Sequence, residues 1–374
     1  MFTPRYQFPK YSNLILNDFK GHQWKALQTF TTILPQVNLM VELRDLRAPI
    51  SSRNCIFEIL HKKYKTPRLI VYTKGDKFLS NNSSSGNTML TPLVNKLNEL
   101  HAGKDEYIIV DGRNTKQNKH LLDIIKYKYY SEDDYPLGFR LLICGIPNVG
   151  KSTIINSLRK NYFTSTIRGE RTMGGTSKFK KVAKTGDEAG VTRKTSEVIK
   201  IDDCKNGIYL FDTPGISLPK KVMTQEKFLS LSLCGSVKKN IVDPVIQADY
   251  LLYLVNLQRD RLKMFGAGST TSIPLSNNIY EVLDKMNGNN EKQNAMNFID
   301  SVINGSNVLF DVDSLAIDQR CYDEILNSEV AKLGGTDDFI STVLYGSSTI
   351  TKSNKGSRAI GSKFKKAKMV NKIF

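Results

Sequence analysis

Four stretches ahead of residue 150 are dense in aliphatic and aromatic residues and short enough to be strands: 37–45, 68–76, 106–112 and 139–145. Two more follow at 196–201 and 208–212. Runs such as Leu141-Leu142-Ile143-Cys144 are apolar at successive positions, so both faces of the strand must be covered, as in the middle of a parallel sheet. Helical or polar stretches separate most neighbours. This alternation predicts an α/β layer structure, with a mainly parallel sheet and helices on both faces. After Pro219 the texture changes: 220–345 reads mostly as helices, such as 225–239 and 244–265, broken by polar loops such as 287–294. The expected organisation is an N-terminal extension (1–18), an α/β domain (19–219) with an insertion at 165–182, a smaller, mostly helical domain (220–345) and a tail (346–374).

The most specific motif follows the fourth strand. Gly145-Ile146-Pro147-Asn148-Val149-Gly150-Lys151-Ser152 fits G-x-x-x-x-G-K-[ST] and leads into a helical stretch at 153–159. Such a loop turns backbone N–H groups, here including those of Val149, Gly150 and Thr153, toward phosphates; Lys151 reaches the β and γ oxygens, Ser152 places a hydroxyl on Mg²⁺, and the helix N-terminus adds its dipole. A second motif, Thr73-Lys74-Gly75-Asp76, closes a strand. The Asp76 carboxylate can accept both guanine N–H protons, and the Lys74 stem can lie along the purine face, so the base expected is guanine. A third, Asp212-Thr213-Pro214-Gly215, offers an acid to hold Mg²⁺ through water and a Gly215 N–H to sense the γ-phosphate. In Gly190-Val191-Thr192 the threonine hydroxyl is placed to close over the same ion.

The guanine-reading motif precedes the phosphate-binding loop, the reverse of the order in ordinary GTPases, so the domain reads as circularly permuted. Here the sequence resembles the YlqF/RbgA family of permuted GTPases, in its mitochondrial ribosome-assembly branch. The resemblance rests on Asp45-Leu46-Arg47-Ala48-Pro49 with Ser51-Ser52-Arg53-Asn54, on the motifs already quoted, on Ala183-Lys184-Thr185-Gly186-Asp187, and on Ile216 after Gly215. It implies GTP hydrolysis with Mg²⁺, docking on the rRNA of the large mitochondrial ribosomal subunit in the GTP state, release on hydrolysis, and a matrix location, with the inner membrane as a peripheral contact. It implies a role for His22, within Phe19-Lys20-Gly21-His22-Gln23-Trp24-Lys25-Ala26, in positioning the attacking water, because Ile216 cannot hydrogen-bond one. Asn148 is associated in this family with a K⁺ beside the β and γ phosphates. The last guanine contact carries over onto Val110-Asp111-Gly112-Arg113. Three departures stand out: Thr73 replaces the usual asparagine, Ala189 the usual proline, and 165–182 is inserted.

Composition narrows the field further. With 40% hydrophobic and 24% charged residues the chain has the make-up of a folded globular protein, and its longest apolar runs fall well short of the ~18 residues that cross a bilayer. The net charge of +18 is concentrated: residues 159–184 carry +7 and 339–374 carry +8 with no acidic residue. Concentrated basic segments suit a polyanion such as RNA; the plainer reading of the tail is a solvated segment. Five scattered cysteines suggest neither a disulfide framework nor a zinc site. Other functional classes remain open at this level, namely an RNA-binding scaffold with little turnover and a membrane-surface GTPase, and a monomer is the default.

Overall fold

The computed structural model describes residues 2–16, 19, 21–79, 90–130, 135–169, 198–238, 240–264, 273–286 and 288–345 of the 374-residue chain. All six expected strands are present: β1 (Leu39–Asp45), β2 (Arg68–Thr73), β3 (Glu106–Ile109), β4 (Phe139–Gly145), β5 (Val198–Asp202) and β6 (Ile208–Phe211). They form one sheet in the order β3-β2-β1-β4-β6-β5, parallel throughout except for β5, which runs antiparallel to β6. β2 stops three residues short of its expected end, since Lys74 turns into the left-handed region at φ 59°. From β1 the chain works outward through β2 to β3; from β4 it works the other way. The direction of winding therefore reverses between β1 and β4, and the crevice at the carboxyl ends of such a pair is where open α/β sheets hold ligands. Register places Asp45 beside Thr73, and Leu43 beside Gly145.

The helices are α1 (Gly21–Ile33), α2 (Cys55–Tyr64), α3 (Asp76–Leu79), α4 (Leu90–His101), α5 (Thr115–Tyr129), α6 (Lys151–Gly169), α7 (Gln225–Leu233), α8 (Pro244–Met264), α9 (Ile279–Leu283), α10 (Glu291–Gly305), α11 (Gln319–Lys332) and α12 (Gly335–Tyr345). α6 runs well past the expected end at 159 and takes in the start of the basic insertion; residues 170–182 lie outside the described residues, as does the tail 346–374. α7 ends six residues earlier than its hydrophobic pattern suggested. The cause is Gly235 at φ +74°, which lets the Ser236 N–H reach back to the Leu231 carbonyl at 2.9 Å, a left-handed helix stop that favours glycine. Proline opens α8, where its missing N–H costs nothing.

One continuous hydrophobic cluster joins the sheet to the helices after residue 220, from Leu39, Ile143 and Leu210 to Phe228, Leu251, Phe298 and Val343. The segment read as an N-terminal extension is packed into it. Phe8 lies edge-on to Tyr250 at 5.0 Å, Arg5 pairs with Asp249 at 2.6 Å, and Gln225 exchanges hydrogen bonds with Tyr11 and Pro9. No helix among the described residues is long and apolar enough to cross a membrane.

Candidate functional site

The loop Gly145 to Ser152 sits at the winding reversal, between the end of β4 and the first turn of α6. Val149 is fully buried, and Asn148 and Gly150 take positive φ of 54° and 97°, which curls the backbone into a cradle. Lys151, the first residue of α6, is almost fully buried and donates to the Gly145 and Ile146 carbonyls at 3.2 and 2.7 Å. Burial pulls its ammonium down to about 8, against the opposing pull of Asp212. Ser152 and Thr153 follow, half-buried.

Thr73 does something the motif did not predict. Its hydroxyl lies 2.6 Å from the Val149 carbonyl and 3.1 Å from that of Arg44, so the residue standing in place of the usual asparagine ties β2 to the phosphate-binding loop. The Lys74 ammonium is held by Asp45 at 3.0 Å and by the Cys234 carbonyl at 3.1 Å. Asp45 is also gripped by both Nε and Nη2 of Arg47, at 3.0 and 2.8 Å. Burial opposes its charge, yet Arg47 and Lys74 hold the carboxyl well below the usual range.

Thr73, Lys74, Asp76, Asp111, Gly112, Asn148, Gly150 and Thr153 line one cleft of about 560 Å³. Its other wall comes from the helical region: Cys234 and Gly235 after α7, and Asp300, Asn304 and Phe310 in and beyond α10. Sequence reading missed this wall. The Asn148 amide nitrogen lies 3.4 Å from the Gly235 carbonyl, which fastens the phosphate-binding loop to that wall. Asp111 caps its own turn by accepting from Arg113 N–H, and Asn118 bridges the Gly112 carbonyl to Ser157 on α6.

The Asp45-to-Asn54 motif also reveals its part. Ser51 donates through its N–H and hydroxyl to Asp311, and Ile50 N–H joins them. The Arg47 guanidinium stacks 4.9 Å above Phe310, while its carbonyl accepts from Phe310 N–H. This loop therefore fastens the sheet to the helical region next to the cleft.

Asp212 is 2% exposed, and its Oδ1 has no hydrogen-bond partner among the described residues. Burial raises its pKa, partly offset by Lys151. An orphaned buried carboxylate oxygen within the field of Lys151 fits a divalent cation, since one would replace the lost hydration. Gly215 presses against the loop: a Cβ there would meet Pro147 Cα and N at 2.6 Å and Lys151 Nζ at 3.0 Å. Ile216 is fully buried, and its N–H bonds the Gly145 carbonyl at 3.2 Å. Two further side chains clasp this segment. Asn54 donates to the Ile216 carbonyl at 2.8 Å, while Gln23 donates to Ser217 Oγ at 3.1 Å and accepts from Ser217 N–H at 2.9 Å. His22 is the residue before Gln23 in α1, so its backbone is anchored beside the Asp212-to-Gly215 loop; its side chain lies outside the described residues. Thr192 lies outside them altogether. Gln23 was legible only as a member of the segment that carried His22.

Comparison with known proteins agrees with this geometry. A family model described as "50S ribosome-binding GTPase" matches residues 140–299, opening on β4 and leaving the Thr73-to-Asp76 motif ahead of it. Mitochondrial GTPase 1 of Saccharomyces cerevisiae is 44% identical over 351 residues, covering 89% of this chain and 90% of the relative. Mitochondrial ribosome-associated GTPase 1 of Mus musculus is 31% identical, covering 67% and 69%; Mitochondrial GTPase 1 of Schizosaccharomyces japonicus is also 31% identical, covering 64% and 71%. With the loop Gly145 to Ser152 following β4 and the Thr73-to-Asp76 motif ahead of it at the end of β2, the chain belongs to the family of circularly permuted P-loop GTPases that includes these mitochondrial enzymes, and it hydrolyses GTP to GDP and phosphate.

Proposed function

We propose that this GTPase is an assembly factor for the large subunit of the mitochondrial ribosome, docking on its rRNA in the GTP state and leaving on hydrolysis. The observation that carries this reading is the seating of 212–217. That short segment touches the phosphate-binding loop through Gly215 and Ile216, is clasped by Gln23 and Asn54, and leads within a few residues into the helical region. A change at the γ-phosphate would therefore move a segment that leads directly into the helical region, to which this reading assigns the docking. The names of the relatives from mouse and yeast support the mitochondrial and ribosomal parts.

In this reading guanine lies against Lys74, Asp76 and the turn at Asp111 and Gly112, and the Asp76 carboxylate accepts its N–H protons. Lys151 leaves the Gly145 and Ile146 carbonyls for the β and γ oxygens. Ser152 and Thr192, with Asp212 through a water, would hold Mg²⁺, which would supply charge neutralisation at the transferring phosphoryl group. Gly215 N–H reads the γ-phosphate. Ile216, apolar and buried, leaves the attacking water to His22, whose neighbour Gln23 fixes the start of α1 against Ser217. With its amide nitrogen facing Gly235, Asn148 has the side-chain oxygen to offer a K⁺ ion. The basic segments 159–184 and 339–374 supply phosphate contacts to rRNA.

The test is sedimentation with purified mitochondrial large subunits or their assembly intermediates. The chain should pellet with them when loaded with a non-hydrolysable GTP analogue and stay in the supernatant with GDP. Equal pelleting in both states would remove the switch and leave a scaffold.

A further inference from the structure

We propose that the cleft between α2, α4 and α11 is a second anion site, built to take a phosphate group on the Arg53 guanidinium. The cleft measures about 380 Å³ and shares no lining residue with the nucleotide cleft. Arg53 is 1% exposed and stacks 4.1 Å above the Tyr322 ring, with Nη1 donating to the Tyr322 carbonyl at 3.2 Å. Its Nε and Nη2 have no hydrogen-bond partner among the described residues. These two nitrogens form the edge with which a guanidinium takes an oxyanion through two parallel bonds. The same molecule shows that edge in use twice: Arg47 grips Asp45 with it, and Arg68 grips Asp105. Arg53 presents the edge without the carboxylate.

The surrounding charge favours an anion. Arg68 is spent on Glu42, Glu58 and Asp105, and Arg44 on Glu42. Lys62 and Lys104 stand half-exposed at the rim, each with one acidic neighbour, Glu58 and Asp323. Counting every charged lining residue, five cations face three carboxylates. Two titratable groups in the cleft feel these cations in addition to burial. Burial, with Arg44, Arg68 and Arg53, drives the His101 imidazole down to about 3. The Tyr322 phenol is lowered by Arg44 and Arg53 although burial pushes it up. A carboxylate side chain would fill little of this volume, and the rim lysines suit the multiple charge of phosphate. The phosphate is either free or part of an RNA backbone.

The experiment is calorimetric titration of the chain loaded with Mg²⁺ and a non-hydrolysable GTP analogue, with sodium phosphate against chloride of equal ionic strength, so that the β- and γ-phosphate positions are already filled. One saturable site is expected. Arg53→Lys keeps the charge but loses the fork, and should weaken binding about tenfold. The pair Lys62→Ala with Lys104→Ala leaves the buried cluster intact, so it decides the matter even if Arg53→Lys does not fold; it should weaken binding severalfold while leaving GTP turnover unchanged. A short single-stranded RNA that displaces phosphate from the wild type identifies the source as RNA, and failure to displace identifies it as free phosphate; both outcomes keep the site. No uptake beyond the chloride control, or wild-type binding by every folded variant, overturns it.

Discussion

Replacing Thr73 by valine tests how the phosphate-binding loop is held. Valine keeps the shape and removes one hydroxyl, which in the native chain lies 2.6 Å from the Val149 carbonyl and 3.1 Å from the Arg44 carbonyl, in a site 1% exposed. A hydroxyl has a single proton, and the shorter contact is the one to the loop. Losing a net hydrogen bond costs about 1 kcal/mol, and stranding a buried carbonyl raises this to about 1–3 kcal/mol. The loss falls mainly on the loop's seating, because β2 keeps its ladder bonds to β1 and β3. If the seated conformation loses about 1.4 kcal/mol against its alternatives, the competent fraction drops and nucleotide affinity falls by up to about tenfold. The assay pairs urea unfolding of the nucleotide-free chain with titration of a fluorescent GDP analogue. Thr73→Val should lower both stability and affinity, whereas Thr73→Ser, which keeps the hydroxyl, should stay close to wild type. A valine variant that matches wild type in both would refute the tether.

Three other outcomes follow from contacts described above. Gly215→Ala drives a Cβ to 2.6 Å from Pro147 backbone atoms, overpacking worth about 1–3 kcal/mol; affinity for a GTP analogue should fall more than affinity for GDP, measured by parallel fluorescence titrations. Gly235→Ala places a side chain at φ +74° and 2.7 Å from the Asn148 amide nitrogen, so stopped-flow release of labelled GDP should quicken, and an unchanged rate would detach this wall from the nucleotide. Asp45 is held below its ordinary 3.8, so its pairing with Arg47 and Lys74 stabilises fully above that pH and fades as pH falls below it. The deficit of Asp45→Asn in thermal melts should accordingly be full near neutrality and shrink under acid.

What the sequence made legible was local. Six strands, the loop after β4, the Asp212-to-Gly215 motif and the turn at 73–76 each rest on residues close along the chain, where periodicity and turn chemistry suffice. What stayed hidden links distant positions: Ser51 with Asp311, Arg47 with Phe310, Lys74 with the Cys234 carbonyl, Gln23 with Ser217. No spacing rule connects residues that meet only once the helical region packs against the sheet. α7 stops short of its apolar pattern for a simpler reason, since the pattern continues past Gly235 while the helical backbone does not. Residues 3–11, composed like an extension, turn out to be packed on α8 through Phe8 and Arg5.

The central claim is a GTPase whose turnover is tied to the ribosome and whose attacking water is placed from α1. The measurement that tests it most directly is GTP hydrolysis by the purified chain in K⁺ buffer, with and without mitochondrial large subunits, beside His22→Ala. The account predicts slow turnover alone, marked acceleration by the subunits, and loss of that acceleration in the variant with GTP binding retained. Turnover that ignores the subunits, or acceleration that survives the loss of His22, would contradict it.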